Sequence, residues 1–332
     1  MKLVIKKYRS SKKQFSVISI IIPFYQRNNE LISLLKSLEI VEYPLKYLEI
    51  IIVQDGSKVD SDVLIIIKES KLKIKLISND TNHGPGYSRN HGSDYAEGKY
   101  LWFLDTDAYI TNSLVLSNML SFLEGSSKCL AVGGITETIS NEDRILIPVQ
   151  LPAYHFLLES IKISDNYVDI VPFLSTTSFF LRKKDFFETG KFDTSLRMYE
   201  DNEFGIRLQR RYNGHLIQSG KTMIHHRFSP TGRKDGFFSY FRDSSDYMKI
   251  KFESRNKILH RHSRWRLLVL IFLEVYSIFV FYIGDKQNKY HLSRFNFSKS
   301  KHPYFMKIQG LYYLVMSVIS GFILFFHDPN IK

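Results

Sequence analysis

Two aspartates that follow a buried strand are the most informative residues of the chain. Residues 100–107 read Tyr-Leu-Trp-Phe-Leu-Asp-Thr-Asp, an apolar run that ends in Asp105 and Asp107. Such a run predicts a strand buried on both faces, as in a parallel sheet covered by helices. Unpaired buried anions are costly, and oxygen ligands suit Mg²⁺ or Mn²⁺. The pair therefore indicates a metal site, with capping of a helix at 112–124 as the alternative.

Other polar residues follow predicted strands or open predicted helices. Asp55 precedes a glycine and either faces the ribose or base of a ligand or forms an Asx turn. The glycine-containing loop 82–86 opens a helix that carries Arg89 and could approach a nucleotide, although a plain turn is the better explanation of the glycines alone. Glu200 and Asp201 begin another helix, where the helix dipole favours carboxylates, so capping is their alternative role.

These residues belong to an alternating pattern of strands and helices. Apolar runs at 17–22, 48–53, 74–77 and 100–104 are separated by helical patterns at 30–38, 63–68 and 87–96. The alternation predicts βαβ units, a mostly parallel sheet and an α/β fold. Ligands of such sheets bind beyond the carboxyl ends of the strands, where the polar residues above are expected. Further strands are predicted at 176–181 and 221–224, the second ending in His225-His226.

Length and composition are those of a globular protein. The 332 residues, with 44% hydrophobic and 14% aromatic content, allow one large α/β domain with an appendage. The single cysteine, Cys129, excludes intrachain disulfides and cysteine-based zinc sites, and its apolar neighbours predict a core position.

The charge is strongly basic, at +13. Six basic residues and no acids fall in the first 13 positions, and a second basic run covers 249–266. Such charge suits an anionic membrane or nucleic acid. No RRM, KH or zinc-finger pattern occurs, so no nucleic-acid partner is expected. Because 17–22 is too short for a signal-peptide core, we expect a cytoplasmic protein, peripheral at the inner face of the cell membrane.

The last third of the chain contains two apolar segments, 267–283 and 311–326. Both are shorter than the roughly 20 residues of a spanning helix, and Glu274 makes burial of the first in lipid costly. Core helices, interfacial helices and a short hairpin dipping into the membrane remain three open interpretations. The predicted organisation is a basic tail at 1–16, a catalytic domain at 17–235 with halves meeting near 110, and a helical, aromatic and basic region at 236–332.

Five segments, taken together and in order, resemble the family 2 glycosyltransferases, which have the GT-A fold and use nucleotide-activated sugars. The matching residues are Ser19-Ile-Ile-Ile-Pro23-Phe-Tyr25, Ile51-Ile-Val-Gln-Asp55-Gly-Ser57, Asn82-His-Gly84 through Arg89-Asn90-His-Gly92, Leu104-Asp105-Thr-Asp107 and Glu200-Asp201-Asn-Glu203-Phe. The fourth is similar to the DxD element of the family and the fifth to its ED motif. The resemblance covers about residues 17–227, and Gln54 departs from it, since many relatives carry an acid there.

The resemblance implies a role for each matching residue. Nucleotide-sugar binding is implied for Pro23, Tyr25, Asp55, Arg89, Asp105 and Glu200. Asp107 would bind the divalent metal, Mn²⁺ or Mg²⁺, and Asp201 would be the general base. His226 matches a metal- or diphosphate-contacting histidine, with His225 as the alternative because 212–214 looks one residue longer than usual.

The expected activity is that of an inverting glycosyltransferase with a metal-dependent mechanism. It would move a sugar from a UDP-, GDP- or dTDP-sugar to a hydroxyl of a lipid-linked or oligosaccharide acceptor in cell-surface glycan synthesis. A single displacement with one base inverts the anomeric centre. The alternatives are a sugar nucleotidyltransferase, whose glycine-rich loop residues 23–27 do not match, and a basic nucleic-acid- or membrane-binding protein without catalysis.

Overall fold

A computed structural model describes residues 15–139, 145–150 and 167–227, together with helical positions within 254–275 and 315–323. The chain divides into two compact units. The first unit comprises Met1–Ser195 and Glu200–Gly232, and the second comprises Leu196–Tyr199 and Arg233–Lys332. The first unit contains all the residues to which the sequence assigns a chemical role.

Strands and helices alternate along the first unit. The strands are β1 Ile18–Phe24, β2 Leu48–Asp55, β3 Lys73–Asn79, β4 Tyr100–Leu104, β5 Ala108–Tyr109, β6 Cys129–Ile139, β7 Ile145–Gln150, β8 Val168–Val171, β9 Ser178–Arg182 and β10 His215–Arg227. The helices are α1 Asn28–Leu38, α2 Ser61–Glu69, α3 Pro85–Asp94, α4 Val115–Gly125, α5 Lys183–Glu188 and α6 Glu200–Tyr212.

The described strands form one sheet in the order β3-β2-β1-β4-β9-β6-β10-β5, with β7 beside β6 and β8 beside β10. Strands β3, β2, β1 and β4 are parallel, and β10 is parallel to β6. Strand β9 runs antiparallel to both β4 and β6. The predicted fold class, a mostly parallel mixed sheet flanked by helices, is confirmed.

Alternate residues of the central strands pack into opposite layers of the core. Ile20 of β1 and Trp102 of β4 face one apolar layer, whereas Ile21 and Phe103 face the other. All four are at most 1% exposed. Because both faces of these strands are covered, their sequences read as continuous apolar runs, and the side-chain period of two is hidden.

Three features of the structure can be compared with the predictions made from the sequence. Helix α3 begins at Pro85, two residues before the predicted start, because proline is well suited to the first helical position. Strand β10 begins at His215 rather than 221, and its polar residues Gln218 and Thr222 are buried and bonded to β6 carbonyls. Cys129 is 1% exposed, which confirms its predicted core position.

The second unit exposes apolar side chains at helical spacing. Trp265, Val269, Phe272 and Val275 are between 43% and 72% exposed, and Val315, Ile319, Phe322 and Ile323 between 37% and 66%. Among the residues that the structure describes, no helix is long and apolar enough to cross a membrane. The remaining residues of 236–332, and the basic tail at 1–14, lie outside the described residues.

Close packing of α3 on the sheet gives a stability prediction. A Cβ atom added at Gly92 would lie 2.8 Å from methyl groups of both Ile21 and Val53. We expect Gly92→Ala to lower the free energy of unfolding by about 1–3 kcal/mol, because the helix must shift away from the sheet. Urea denaturation measures the change. Gly125→Ala is the matched control, since nothing lies within 4 Å of its added Cβ, and equal stability of the two variants would contradict the prediction.

Candidate active site

The chemically active residues collect at one edge of the sheet. This edge lies beyond the carboxyl ends of β1, β2 and β4, and the start of α6 joins it. The predicted site residues brought to it are Pro23, Tyr25, Asp55, Arg89, Asp105, Asp107, Glu200, Asp201 and His226. The grouping follows from parallel strands, whose carboxyl ends face one direction.

Asp55 fixes the backbone of the loop that opens α3. Its Oδ1 accepts hydrogen bonds from Asn79 Nδ2 at 2.8 Å and the His83 amide at 3.0 Å, and its Oδ2 accepts one from the Gly84 amide at 2.8 Å. Gly56 turns the chain with a φ of +69°, and a Cβ there would meet the loop backbone at 2.6 Å. Three of about four acceptor positions of the carboxylate are thus used within the protein, which leaves one for a ligand.

Arg89 is a buried cation placed between two carboxylates. Its Nη2 donates to Asp105 Oδ1 at 2.5 Å and its Nη1 to Glu200 Oε1 at 2.6 Å, while the side chain is only 3% exposed. Burial alone would lower the pKa of Arg89, but the charges of the two carboxylates raise it above its ordinary value. Thr177 Oγ1 donates to the other oxygen of Asp105 at 3.2 Å, so this carboxylate is held from two sides.

Asp201 lies in surroundings that raise its pKa. The Thr176 amide donates to its Oδ2 at 3.0 Å, and the Asn202 amide donates to its Oδ1 at 2.8 Å. Burial and the neighbouring charge of Glu200 nevertheless raise the pKa of Asp201 to about 7. A carboxylate with such a pKa can take up a proton at the pH of the cell and release it again.

The surroundings of Asp107 lower its pKa, whereas those of Asp201 raise the pKa of that residue. Asp107 directly precedes β5, where Ala108 pairs with His226 of β10. His226 Nε2 lies 3.1 Å from Asp107 Oδ1, and Arg27 Nη1 donates to Asp107 Oδ2. Burial opposes ionisation, but the hydrogen bond from His226 and the charge of Arg27 hold the pKa of Asp107 below its ordinary value. His225 directly precedes His226 in the strand. Because neighbouring strand residues face opposite sides of a sheet, the two histidines face opposite sides.

The pair of Asp107 and His226 fits a divalent metal that is delivered together with a phosphate ligand. An oxygen and a nitrogen donor meet at one point, with only 8% of the Asp107 side chain exposed. In the part of the chain that the structure describes, no three His, Cys, Asp or Glu side chains gather as a metal-binding group. Mg²⁺ sites in phosphate-binding enzymes commonly use one or two protein carboxylates and complete their coordination with substrate phosphates and water.

The end of β1 supplies both a structural tie and an open face. Thr106 Oγ1 donates to the carbonyl of Pro23 at 2.6 Å, which links the ends of β1 and β4 across the site. Tyr25, two residues further on, is 43% exposed. Its ring is therefore available to a ligand, and its contact with a base remains a prediction.

The sequence interpretation missed one contributor to this site, Arg27, and left Thr176 and Thr177 open between acceptor-side residues and ordinary strand residues. Arg27 had no assigned role, although a basic residue directly after a strand end opposite two acids is a usable signal. The amide of Thr176 and the hydroxyl of Thr177 orient Asp201 and Asp105, respectively. Threonines in a strand-like segment carry no such signal, because only the tertiary fold brings them to the carboxylates.

Comparison with solved structures identifies the class of this fold. A mannosyltransferase from Pyrobaculum calidifontis, solved with GDP-Man and Mn²⁺, superposes with a TM-score of 0.56 at 12% identity, over 93% of this chain and 88% of that one. Staphylococcus aureus TarS 1-349, solved with UDP-GlcNAc, gives 0.52 at 19% identity, over 92% and 89%. The fold is that of the GT-A glycosyltransferases.

Sequence comparison identifies the family. Residues 19–190 match the family described as Glycosyl transferase family 2, and the chain belongs to it. An uncharacterized glycosyltransferase of Haemophilus influenzae is 26% identical over 58% of this chain and 62% of its own length. The poly(ribitol-phosphate) beta-N-acetylglucosaminyltransferase TarS of S. aureus is 34% identical over 32% of this chain. The chain spans less than two thirds of these relatives, and only 18% of TarS. The sequence-based recognition of this family is therefore confirmed.

Proposed function

We propose that the protein is a metal-dependent, inverting glycosyltransferase that uses a nucleotide-sugar donor. One observation carries this proposal: the site combines a carboxylate of raised pKa, Asp201, with a separate carboxylate of lowered pKa, Asp107. A proton acceptor and an anionic metal ligand are two requirements of this transfer reaction. Environments that drive the pKa values of two carboxylates apart mark two different roles.

The donor would bind along the carboxyl edge of the strands. Asp55 keeps one acceptor position for the base or ribose, next to the open ring of Tyr25 and the turn at Pro23. Arg89 holds Asp105 and Glu200 in place at the same edge. The proposed donors carry a uridine, guanosine or deoxythymidine diphosphate, supported by the solved structures described above, which hold UDP-GlcNAc or GDP-Man.

The departure of the nucleoside diphosphate requires neutralisation of its charge. Asp107 and His226 are the residues that would hold Mn²⁺ or Mg²⁺. The bound metal would supply positive charge to the leaving diphosphate. The lowered pKa of Asp107 keeps the carboxylate ionised for this purpose.

Asp201 would activate the acceptor. As the acceptor hydroxyl oxygen forms its bond to the anomeric carbon, Asp201 takes the hydroxyl proton, and the bond from that carbon to the diphosphate oxygen breaks. The Thr176 and Asn202 amides fix the orientation of the carboxylate during the step. One displacement of this kind inverts the anomeric centre. A hydroxyl of a lipid-linked or oligosaccharide acceptor of the cell surface is the proposed nucleophile, supported by the poly(ribitol-phosphate) acceptor in the name of TarS.

Replacement of the base tests the reaction. We expect Asp201→Asn to lower transfer about 10²–10⁴-fold, because the acceptor proton loses its acceptor, while donor binding persists. The assay is nucleotide release and product formation across UDP-, GDP- and dTDP-sugars with Mn²⁺ or Mg²⁺, beside donor binding by calorimetry. Asp62→Asn, an exposed aspartate on α2, is the matched control. Near-normal transfer by Asp201→Asn would remove Asp201 from the base role.

The raised pKa of Asp201 predicts the pH profile. Below the value of about 7 the carboxyl carries a proton and cannot accept another, so kcat/KM should fall about tenfold for each pH unit below the midpoint. Above the midpoint kcat/KM should level off. Glu200→Gln should move the midpoint to lower pH, because the charge of Glu200 helps to raise this pKa. The transition that this pKa requires lies between pH 5 and 8, so a wild-type profile that is flat over this range would contradict the assignment.

We also propose that the second unit binds an anionic membrane surface, which would bring the site to lipid-linked acceptors. Trp265, Val269, Phe272 and Val275 recur at helical spacing and are exposed. The run 249–266 contains seven Lys and Arg and one acid. An apolar helix face beside a basic segment suits a helix that lies in the membrane interface.

Vesicle binding tests this location. We expect the double variant Trp265→Gln, Phe272→Gln to lower the partition coefficient on phosphatidylglycerol-containing vesicles at least about tenfold, because two exposed aromatic rings no longer enter the interface. Sedimentation with vesicles measures the bound fraction. Leu64→Gln, which replaces a 46% exposed side chain on α2, is the control. Equal binding of the double variant and the control would refute a membrane role for this helix face.

A further inference from the structure

We propose that Arg27 is a positioning residue of the metal site, one that a divalent cation and the donor diphosphate must displace from Asp107. This inference rests on the proposed function and adds to it a residue outside the family motifs described above. In the donor-free protein the guanidinium neutralises Asp107. When the metal binds, Arg27 leaves the carboxylate and becomes available to the phosphate oxygens.

The carboxylate of Asp107 has both of its oxygens occupied. Arg27 Nη1 donates to Oδ2, and His226 Nε2 lies 3.1 Å from Oδ1. A metal ion at this carboxylate would share one of these oxygens with a present partner. Two cations at one carboxylate also repel each other. The guanidinium of Arg27 therefore opposes a metal ion at Asp107, and its departure would relieve the repulsion.

Arg27 is the partner that can move. Its side chain is 42% exposed, compared with 29% for His226. It lies in the short connection between β1 and α1, after Gln26, whose φ is +56°. His226 belongs to β10, which is paired with β5 on one side and β6 on the other. Release of Arg27 costs little, since solvent screens an ion pair whose arginine is 42% exposed, whereas His226 is held on a strand that is paired on both sides.

The released guanidinium has a suitable second partner. A planar guanidinium matches the geometry of phosphate oxygens and can form two parallel hydrogen bonds with them. The diphosphate of a donor at this site brings its negative charge to the same strand end that holds Arg27. The same side chain would thus lower the affinity of the empty site for metal and raise the affinity of the metal-loaded site for the donor.

Metal binding without nucleotide is the decisive measurement. We expect Arg27→Gln to bind Mn²⁺ alone about tenfold more tightly than the wild type, measured as free Mn²⁺ by electron paramagnetic resonance, because the competing ion pair is gone. With Mn²⁺ saturating, the same variant should bind UDP or GDP more weakly. Arg27→Lys, which keeps the charge but not the planar fork, should fall between. Lys36→Gln removes one charge from an exposed position on α1 and should bind Mn²⁺ as the wild type does.

Each outcome has a defined meaning. Unchanged or weaker Mn²⁺ binding by Arg27→Gln overturns the proposal, as does an equal gain in Lys36→Gln or the absence of Mn²⁺ binding in both wild type and variant. Tighter binding of UDP or GDP by the variant also overturns it. If the wild type binds no nucleotide but Arg27→Gln still tightens Mn²⁺, the displacement stands and the proposed transferase function fails.

Discussion

Arg89 brings one guanidinium to two carboxylates inside the protein, 2.5 Å from Asp105 and 2.6 Å from Glu200. The three residues belong to α3, to the end of β4 and to the start of α6, and Glu200 lies 111 positions from Arg89 in the sequence. Loss of one partner of such a buried group leaves an uncompensated charge and is strongly destabilising. The relative positions of α3, the end of β4 and the start of α6 therefore depend on this arginine.

The same interaction contributes to the properties of Asp201. Arg89 lowers the pKa of that residue through its charge, whereas burial and the charge of Glu200 raise it, and the result is a value of about 7. Asp107 reaches the opposite balance because His226 and Arg27 contact it directly. Two aspartates of one site thus have pKa values shifted in opposite directions, and the difference lies in their neighbours.

Much of the sheet and of the site could be predicted from the sequence, but the side-chain contacts between distant segments could not. The buried strands β1, β2 and β4 read as apolar runs because both of their faces are covered. Strand β10 was predicted over only part of its length, since buried Gln218 and Thr222 satisfy their polar groups with carbonyls of β6, a distant segment. The contact of Arg27 with Asp107 spans 80 positions of the chain, and no local pattern encodes such a distance.

Asp55 holds the loop before α3 through the backbone amides of His83 and Gly84. Any residue except proline offers such an amide at position 83. This anchoring of the loop to Asp55 is therefore independent of the identity of the side chain at 83, which is partly exposed beside the site. Substitutions there can accumulate during evolution without loss of the fold, so recognition can diversify at this position while the scaffold stays constant.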